Sequence, residues 1–122
     1  VVGASDVYKR QLFEWGWSEA DCLKYCYEKG YDWEGLYEIY DRASCWCCPL
    51  QSLKSLRSLR NNFPELWDEL KEMDAKTWRK FQVNYSVTDL EKRFEFEEER
   101  TKCNLPIKGK EFYSQLKQRL CA

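Results

Sequence analysis

Ser44-Cys45-Trp46-Cys47-Cys48-Pro49 is the stretch around which this chain is organised. Three of the seven cysteines fall within four consecutive positions, and a proline follows at once. Upstream lies an aromatic-rich segment that carries two more cysteines, Cys22 and Cys26, and downstream lie leucine-rich segments. A loop that gathers thiols between helical segments predicts a cysteine site carried on a helical scaffold.

Composition sets limits on the class of protein. A chain of 122 residues is one domain or a part of one, and 43% hydrophobic residues are enough for a core. The net charge of -1 gives no surplus of basic residues to attract nucleic acid or anionic membrane. No apolar run approaches the roughly 20 residues of a spanning helix, and no signal-peptide pattern is present. We expect a cytoplasmic protein without nucleic-acid or membrane partners, and self-association as a homo-oligomer is left open.

The chain contains seven cysteines and no histidine. In a reducing compartment, an odd number of cysteines favours metal or redox chemistry over a disulfide framework. The absence of histidine excludes Cys/His zinc ligation and histidine-based acid–base catalysis. Any metal must therefore be bound by thiolates, with help from a carboxylate at most.

Residues 1–11 differ in character from the rest of the chain. The run Asp6-Val7-Tyr8-Lys9-Arg10-Gln11 back-translates naturally as GAT GTG TAT AAG AGA CAG, which resembles a transposon end used in sequencing-library adapters. We interpret residues 1–11 as translated adapter and exclude them from fold reasoning. This predicts that native sequence starts at Leu12 and that sequence upstream of it is missing. The alternative is a genuine disordered or strand-forming N-terminus.

Helix signals recur along the whole chain. Leu12–Trp17 is expected to be extended or turn, and Ser18–Asp21 resembles a capping box that starts a helix over about residues 19–29. A short helix is predicted around residues 33–40. Further helices are predicted from Pro49 to about Arg60, from Pro64 raggedly to Phe81, from the second capping box at Ser86–Asp89, and over residues 110–120. No segment alternates with period two, so the predicted fold class is mainly α.

The Pro49–Arg60 segment shows the clearest amphipathic pattern. Leucines recur there every third residue, at Leu50, Leu53, Leu56 and Leu59. Lys54, Arg57 and Arg60 lie off that stripe, so they predict either a solvated helix face or an anion contact, and the solvated face is favoured. The acidic run from Glu95 to Glu99 is expected on the surface. The six tryptophans are expected in the core, because no basic channel accompanies them.

Three motifs in order carry a resemblance to a known family. They are Glu14-Trp15-Gly16-Trp17-Ser18-Glu19-Ala20-Asp21, then Leu36-Tyr37, then Ser44-Cys45-Trp46-Cys47-Cys48-Pro49. Together they resemble the C-terminal part of the phosphoadenosine phosphosulfate (PAPS) reductase family, which is adenine nucleotide alpha-hydrolase-like. The resemblance covers about residues 12–59, and from Pro64 onward the helices look like those of phage and gut-bacterial relatives.

The resemblance implies both an architecture and an activity. Residues 12–122 would be the helical C-terminal region of an α/β enzyme, without its sheet domain. The intact parent would be an oxidoreductase or nucleotide hydrolase of sulfur metabolism that acts on an adenine nucleotide or sulfonucleotide, and this fragment alone would be inactive. Two family motifs are absent: the Ser-Gly-Gly-x-Asp-Ser phosphate loop and the C-terminal Glu-Cys-Gly. The second absence argues against ordinary PAPS reduction.

The resemblance also implies a metal site. Cys45 and Cys48 would be two ligands of an iron–sulfur cluster, and an all-thiolate set suits either iron–sulfur or Zn²⁺. Both need four thiolates. Cys47 is a third candidate and Cys26, with Cys22 one turn before it, a fourth, unless the remaining ligands lie in missing upstream sequence. The alternative for Cys22, Cys26 and Cys47 is that they are small buried apolar groups.

Arg42 is the candidate for an anion contact in a cofactor site, because it lies nearest the cysteines and arginine binds oxyanions through paired donors. A different class of function is also open. The chain could be a non-catalytic zinc module in which four thiolates tie helices together, or a plain helical interaction domain with reduced cysteines.

Overall fold

The computed structural model of the chain describes residues 10–121. These residues form seven α-helices and one 3-10 turn and contain no β-strand, which confirms the predicted mainly-α fold. They divide into two compact units, with the boundary between Asp41 and Arg42. The predicted adapter lies almost wholly outside the described residues, and its origin stays a prediction.

The first unit contains helices α1 (Gln11–Glu14), α2 (Glu19–Glu28) and α3 (Leu36–Ile39). The predicted capping box is confirmed, because Ser18 Oγ accepts from Asp21 N at 3.2 Å and Ser18 N donates to Asp21 Oδ2 at 2.8 Å. Helix α2 ends where the Tyr31 N–H donates to the Cys26 carbonyl at 3.0 Å. This closure requires the left-handed backbone of Gly30, at φ 84°.

The described part of the first unit is held together by aromatic pairs and not by a buried core. No described residue of this unit is buried, and Trp15, Trp17 and Trp33 are exposed. Their rings meet neighbouring rings edge-on or tilted, for example Trp17 with Tyr25 at 5.3 Å and Trp33 with Tyr37 at 5.2 Å between centroids. Such pairs contribute about 1 kcal/mol each beyond the area they bury. The prediction that these three tryptophans lie in the core is wrong.

The second unit contains helices α4 (Leu53–Asn62), α5 (Pro64–Ala75), α6 (Val87–Lys102) and α7 (Lys110–Cys121). Pro64 occupies the first turn of α5, and Ser86 and Asp89 form the predicted capping box of α6. Helices α4, α5 and α6 share one hydrophobic core. Its buried members are Leu56, Leu59, Trp67, Leu70, Val87, Leu90 and Phe94.

Three assignments differ from the prediction. Helix α1 covers Gln11–Glu14, although Leu12–Trp17 was expected to be extended or turn. Helix α4 begins at Leu53 and not at Pro49, because Ser52 is its N-cap and accepts from the Ser55 N–H at 3.2 Å. Leu50, assigned to the apolar stripe, is therefore 91% exposed. Helix α5 ends at Ala75 instead of continuing to Phe81, and the chain then crosses to α6 through an irregular segment.

A seam of ion pairs joins α4 to α6. Arg57 Nε lies 2.5 Å from Glu97 Oε2, and Arg93 Nε lies 2.9 Å from Glu97 Oε1. Arg60 pairs with Glu91 and with Glu98. Glu97 is only 5% exposed, so the prediction that the whole acidic run is on the surface is wrong at this position. The side chains of Arg57 and Arg60 are therefore neither a solvated face nor a free anion site.

Candidate functional site

The thiol loop is a tight turn. The Cys48 N–H donates to the Cys45 carbonyl at 3.0 Å, and the Gln51 N–H donates to the Cys48 carbonyl at 3.3 Å. The side chain of Gln51 then reaches back, and its Nε2 donates to the carbonyls of Cys45 at 2.7 Å and Trp46 at 2.8 Å. One glutamine side chain thus donates hydrogen bonds to two backbone carbonyls of a loop that lies outside any helix.

Two further contacts fix the turn to the second unit. The ring of Trp46 is half-buried and packs against the hydrophobic core. Gln82 Nε2 donates to the carbonyls of Pro49 at 3.1 Å and Gln51 at 3.0 Å, which ties the turn to the segment between α5 and α6. The thiols are carried on a turn anchored from both sides.

The prediction that the tryptophans lie in the core is confirmed for Trp67, which is buried, and in part for Trp46.

The three thiols of the turn differ in access. Cys45 and Cys47 are exposed and Cys48 is half-buried, and all three are free cysteines. A β-turn closed by this hydrogen bond keeps its first and fourth Cα atoms within about 7 Å. The Cα atoms of Cys45 and Cys48 therefore lie close together, which makes this pair the candidate for two ligands of one soft metal ion or cluster.

A complete thiolate site does not form within residues 10–121. No group of three or more cysteine, aspartate or glutamate side chains there is arranged to bind a metal ion. Cys22 and Cys26 are half-buried on α2 in the first unit, and Cys103 and Cys121 are exposed at the ends of α6 and α7. The four thiolates that a cluster or a structural zinc needs are therefore not brought together within these residues, and the role of Cys45 and Cys48 as ligands stays a prediction.

Arg42 is exposed and lies three residues before Cys45, in an irregular segment. Its role in binding an anion stays a prediction. The structure instead collects cations beside the turn, where Lys76, Arg79 and Lys80 line a groove together with Cys47. The sequence analysis missed this groove. The signal that could have indicated it is Trp78-Arg79-Lys80, in which an aromatic residue is followed directly by two cations.

Trp78 contradicts the prediction that all six tryptophans belong to the core. Its side chain is 89% exposed, and the guanidinium of Arg79 lies 4.9 Å from the ring centroid. Because α5 ends at Ala75, Trp78 falls outside the helical register that would have turned it inward. An exposed indole beside cations is a surface suited to contact rather than to packing.

No protein-family model, curated protein or solved structure matches the chain. The resemblance to PAPS reductases accordingly rests on the three motifs and their order. Over the part of the chain that the structure describes, every helix is too short or too polar to cross a bilayer.

Proposed function

We propose that this chain is part of a PAPS reductase-like protein in which the turn from Cys45 to Cys48 supplies two thiolates to an iron–sulfur cluster. The observation that carries the proposal is the turn itself: two cysteines at its ends, closed by a 3.0 Å hydrogen bond. Two thiolates on such a turn are a half-site, and two further thiolates complete it. The parent's own cysteines would supply them, and the role of Cys26 as a ligand stays a sequence-based prediction.

The anchoring of the turn supports a role as a ligand loop. Metal ligands are held in place by surrounding contacts, and loosening those contacts weakens metal affinity. Here Gln51 and Gln82 satisfy the loop carbonyls, and Trp46 packs on the core. A loop whose cysteines were merely apolar filling would bury them, whereas Cys45 and Cys47 are exposed.

The nucleotide chemistry belongs to the intact parent. By its motifs, that parent would bind an adenine nucleotide or sulfonucleotide on a sheet domain, with the thiol turn at the edge of the site and Arg42 near the substrate anion. The gene sequence upstream of Leu12 tests this assignment directly. A Ser-Gly-Gly-x-Asp-Ser loop following a strand pattern would support it, and a continuous reading frame without one would contradict it.

The half-site is tested by metal titration of the reduced, full-length chain. Cd²⁺ added under anaerobic conditions should produce thiolate-to-metal charge-transfer absorption, because Cd²⁺ is a soft ion that prefers thiolates. The signal should be lost in Cys45→Ser/Cys48→Ser and retained in Cys103→Ser/Cys121→Ser, the matched control. Equal signals from the two double variants would overturn the half-site.

Reconstitution of the intact parent protein, which would carry all four thiolates, with iron and sulfide identifies the group. Brown protein with bound iron and sulfide supports the cluster. Colourless protein with stoichiometric zinc supports a structural zinc module instead, which is the second candidate function because the same turn suits Zn²⁺. Protein that takes up neither metal would leave a helical interaction domain and contradict both metal assignments.

A further inference from the structure

A groove lies beside the thiol turn in the second unit. It has a volume of about 520 Å³, which falls within the range of about 300–1,000 Å³ typical of small-ligand sites. Leu70, Met73 and Phe81 give it apolar walls, and of the three turn thiols Cys47 lines it. An exposed nucleophile thus opens onto a concavity large enough for a small molecule.

The charges around this groove are unbalanced. Three cations line it, Lys76, Arg79 and Lys80, against one carboxylate, Asp74. Asp74 is already engaged, because its Oδ2 accepts from the Val87 N–H at 2.8 Å. Within residues 10–121, neither Lys76 nor Arg79 forms an ion pair, and Lys80 Nζ is 3.7 Å from Asp89 with 58% of its side chain exposed. In a chain of net charge -1, this is a local positive surface that attracts anions.

Trp78 also lines the groove, with its indole largely exposed. An exposed indole can contact the apolar body of a ligand while the neighbouring cations bind its charges. The groove therefore combines a thiol, a positive surface and an apolar contact. A small anion without sulfur would bind to the cations but would not react with the Cys47 thiol.

We propose that this groove is a thiol-exchange site for anionic low-molecular-weight disulfides, of the chemical class of glutathione disulfide, with Cys47 as the acceptor. The Cys47 thiolate attacks one sulfur of the disulfide, and a new S–S bond forms as the old one breaks. The released thiolate leaves with the electron pair of the broken bond and takes up the proton that Cys47 lost, so that one disulfide and one thiol give one mixed disulfide and one thiol.

The proposal assigns Cys47, the third candidate metal ligand by sequence, to exchange instead, and the metal half-site then uses Cys45 and Cys48 alone. The two proposals can fail separately, because exchange at Cys47 is measured on metal-free protein. Cys45 is an internal control, since it is exposed on the same turn but does not line the groove. Cys103 and Cys121 are exposed controls on other elements.

The test compares disulfides of opposite charge. Reduced, metal-free full-length protein is reacted with glutathione disulfide or with cystamine, which is cationic, and occupancy at each cysteine is followed by peptide mapping and mass spectrometry. The rate ratio of a cysteine is its rate with glutathione disulfide divided by its rate with cystamine. At low salt this ratio should be about tenfold higher at Cys47 than at Cys121, and added salt should reduce the ratio at Cys47. Lys76→Gln/Arg79→Gln/Lys80→Gln should lower the ratio to that at Cys121, whereas Lys117→Gln should not.

Three outcomes would overturn the proposal. The first is a rate ratio at Cys47 equal to that at Cys121 in the unmodified chain. The second is a triple variant that keeps the ratio of the unmodified chain, and the third is a Cys45–Cys48 disulfide as the main product. Circular dichroism of the triple variant checks that it is folded. The salt dependence in the unmodified chain decides the case without any variant.

Discussion

Glu97 is a buried carboxylate that two arginines share. Its two oxygens accept from Arg57 at 2.5 and 3.0 Å and from Arg93 at 2.9 Å. Arg57 comes from α4, forty positions earlier in the chain, whereas Arg93 lies one turn before Glu97 on α6. The carboxylate therefore joins two helices and neutralises a cation that is itself buried.

Replacing Glu97 should destabilise the second unit strongly. Glu97→Gln keeps the shape of the side chain but leaves Arg93 buried without its counter-charge, which costs about 3 kcal/mol. Glu95→Gln is the matched control on the same acidic run, and because Glu95 is exposed its effect should stay within about 0.5 kcal/mol. Urea unfolding followed by far-ultraviolet circular dichroism measures both. Similar losses in the two variants would show that Glu97 is not an essential partner.

Sequence reasoning reached Glu97 only in part. It lies three residues after Phe94 and seven after Leu90, a spacing that places it on the same side of a helix, but the run of acids around it led to the prediction of a surface position. Glu97 is buried because Arg57 of α4 pairs with it. No local pattern in a single sequence shows that α4 will place a cation next to Glu97. Pairings between distant elements depend on packing, which periodicity does not encode.

At the scale of elements, the two capping boxes and the start of α5 at Pro64 were predicted correctly, whereas the start of α4 after Pro49 was not. Ser18 and Ser86 each stand three residues before an aspartate, and both form the reciprocal capping box. Pro49 was a reasonable first-turn residue, but Ser52 competes for the same role with a hydroxyl that satisfies a backbone N–H. The prediction missed this because leucines on both sides of Ser52 kept the same spacing.

The register of α4 can be tested with a matched pair of leucines. Leu56 is fully buried in the core, whereas Leu50 is 91% exposed. Leu56→Ala should cost about 3 kcal/mol through lost burial and the cavity left behind. Leu50→Ala should change the free energy of unfolding by less than about 0.5 kcal/mol. If Leu50→Ala proved as costly as Leu56→Ala, a helix starting at Pro49 would fit better than one starting at Leu53.

At the scale of the whole molecule, the two units are built differently. The second has a hydrophobic core shared by three helices, and the described part of the first has aromatic contacts on exposed rings. Composition alone predicted enough apolar residues for one core but not their division. Trp15, Trp17 and Trp33 raise the apolar content of the chain without entering a core, and only packing separates them from Trp67.

Acid should destabilise the protein. Burial by itself raises the pKa of Glu91, but hydrogen bonds from Trp67 and Arg60 outweigh it, so the pKa lies below its ordinary value of 4.5. A hydrogen bond from Arg119 likewise lowers the pKa of Glu99. Groups with a lowered folded-state pKa stabilise the fold above their unfolded value, and this contribution is lost as the pH falls through the folded value, because the unfolded chain binds more protons.

The measurement is the free energy of unfolding between neutral pH and pH values below 4.5, the ordinary pKa of a glutamate. It should fall in this window, and Glu91→Gln should show a shallower fall than the unmodified chain. Glu95→Gln serves again as the exposed control. A Glu91→Gln curve parallel to that of the unmodified chain would exclude a stabilising role for the ionised carboxylate.

The position of Trp46 has a consequence for every molecule that binds the thiols. Because this indole sits between Cys45 and Cys47 and packs on the core, the geometry of the turn exists only while the second unit is folded. A ligand that binds the folded turn more tightly than the unfolded chain stabilises the unit against denaturation by that difference in binding free energy. Binding of a ligand to the turn and the thermal stability of the second unit are thus thermodynamically linked.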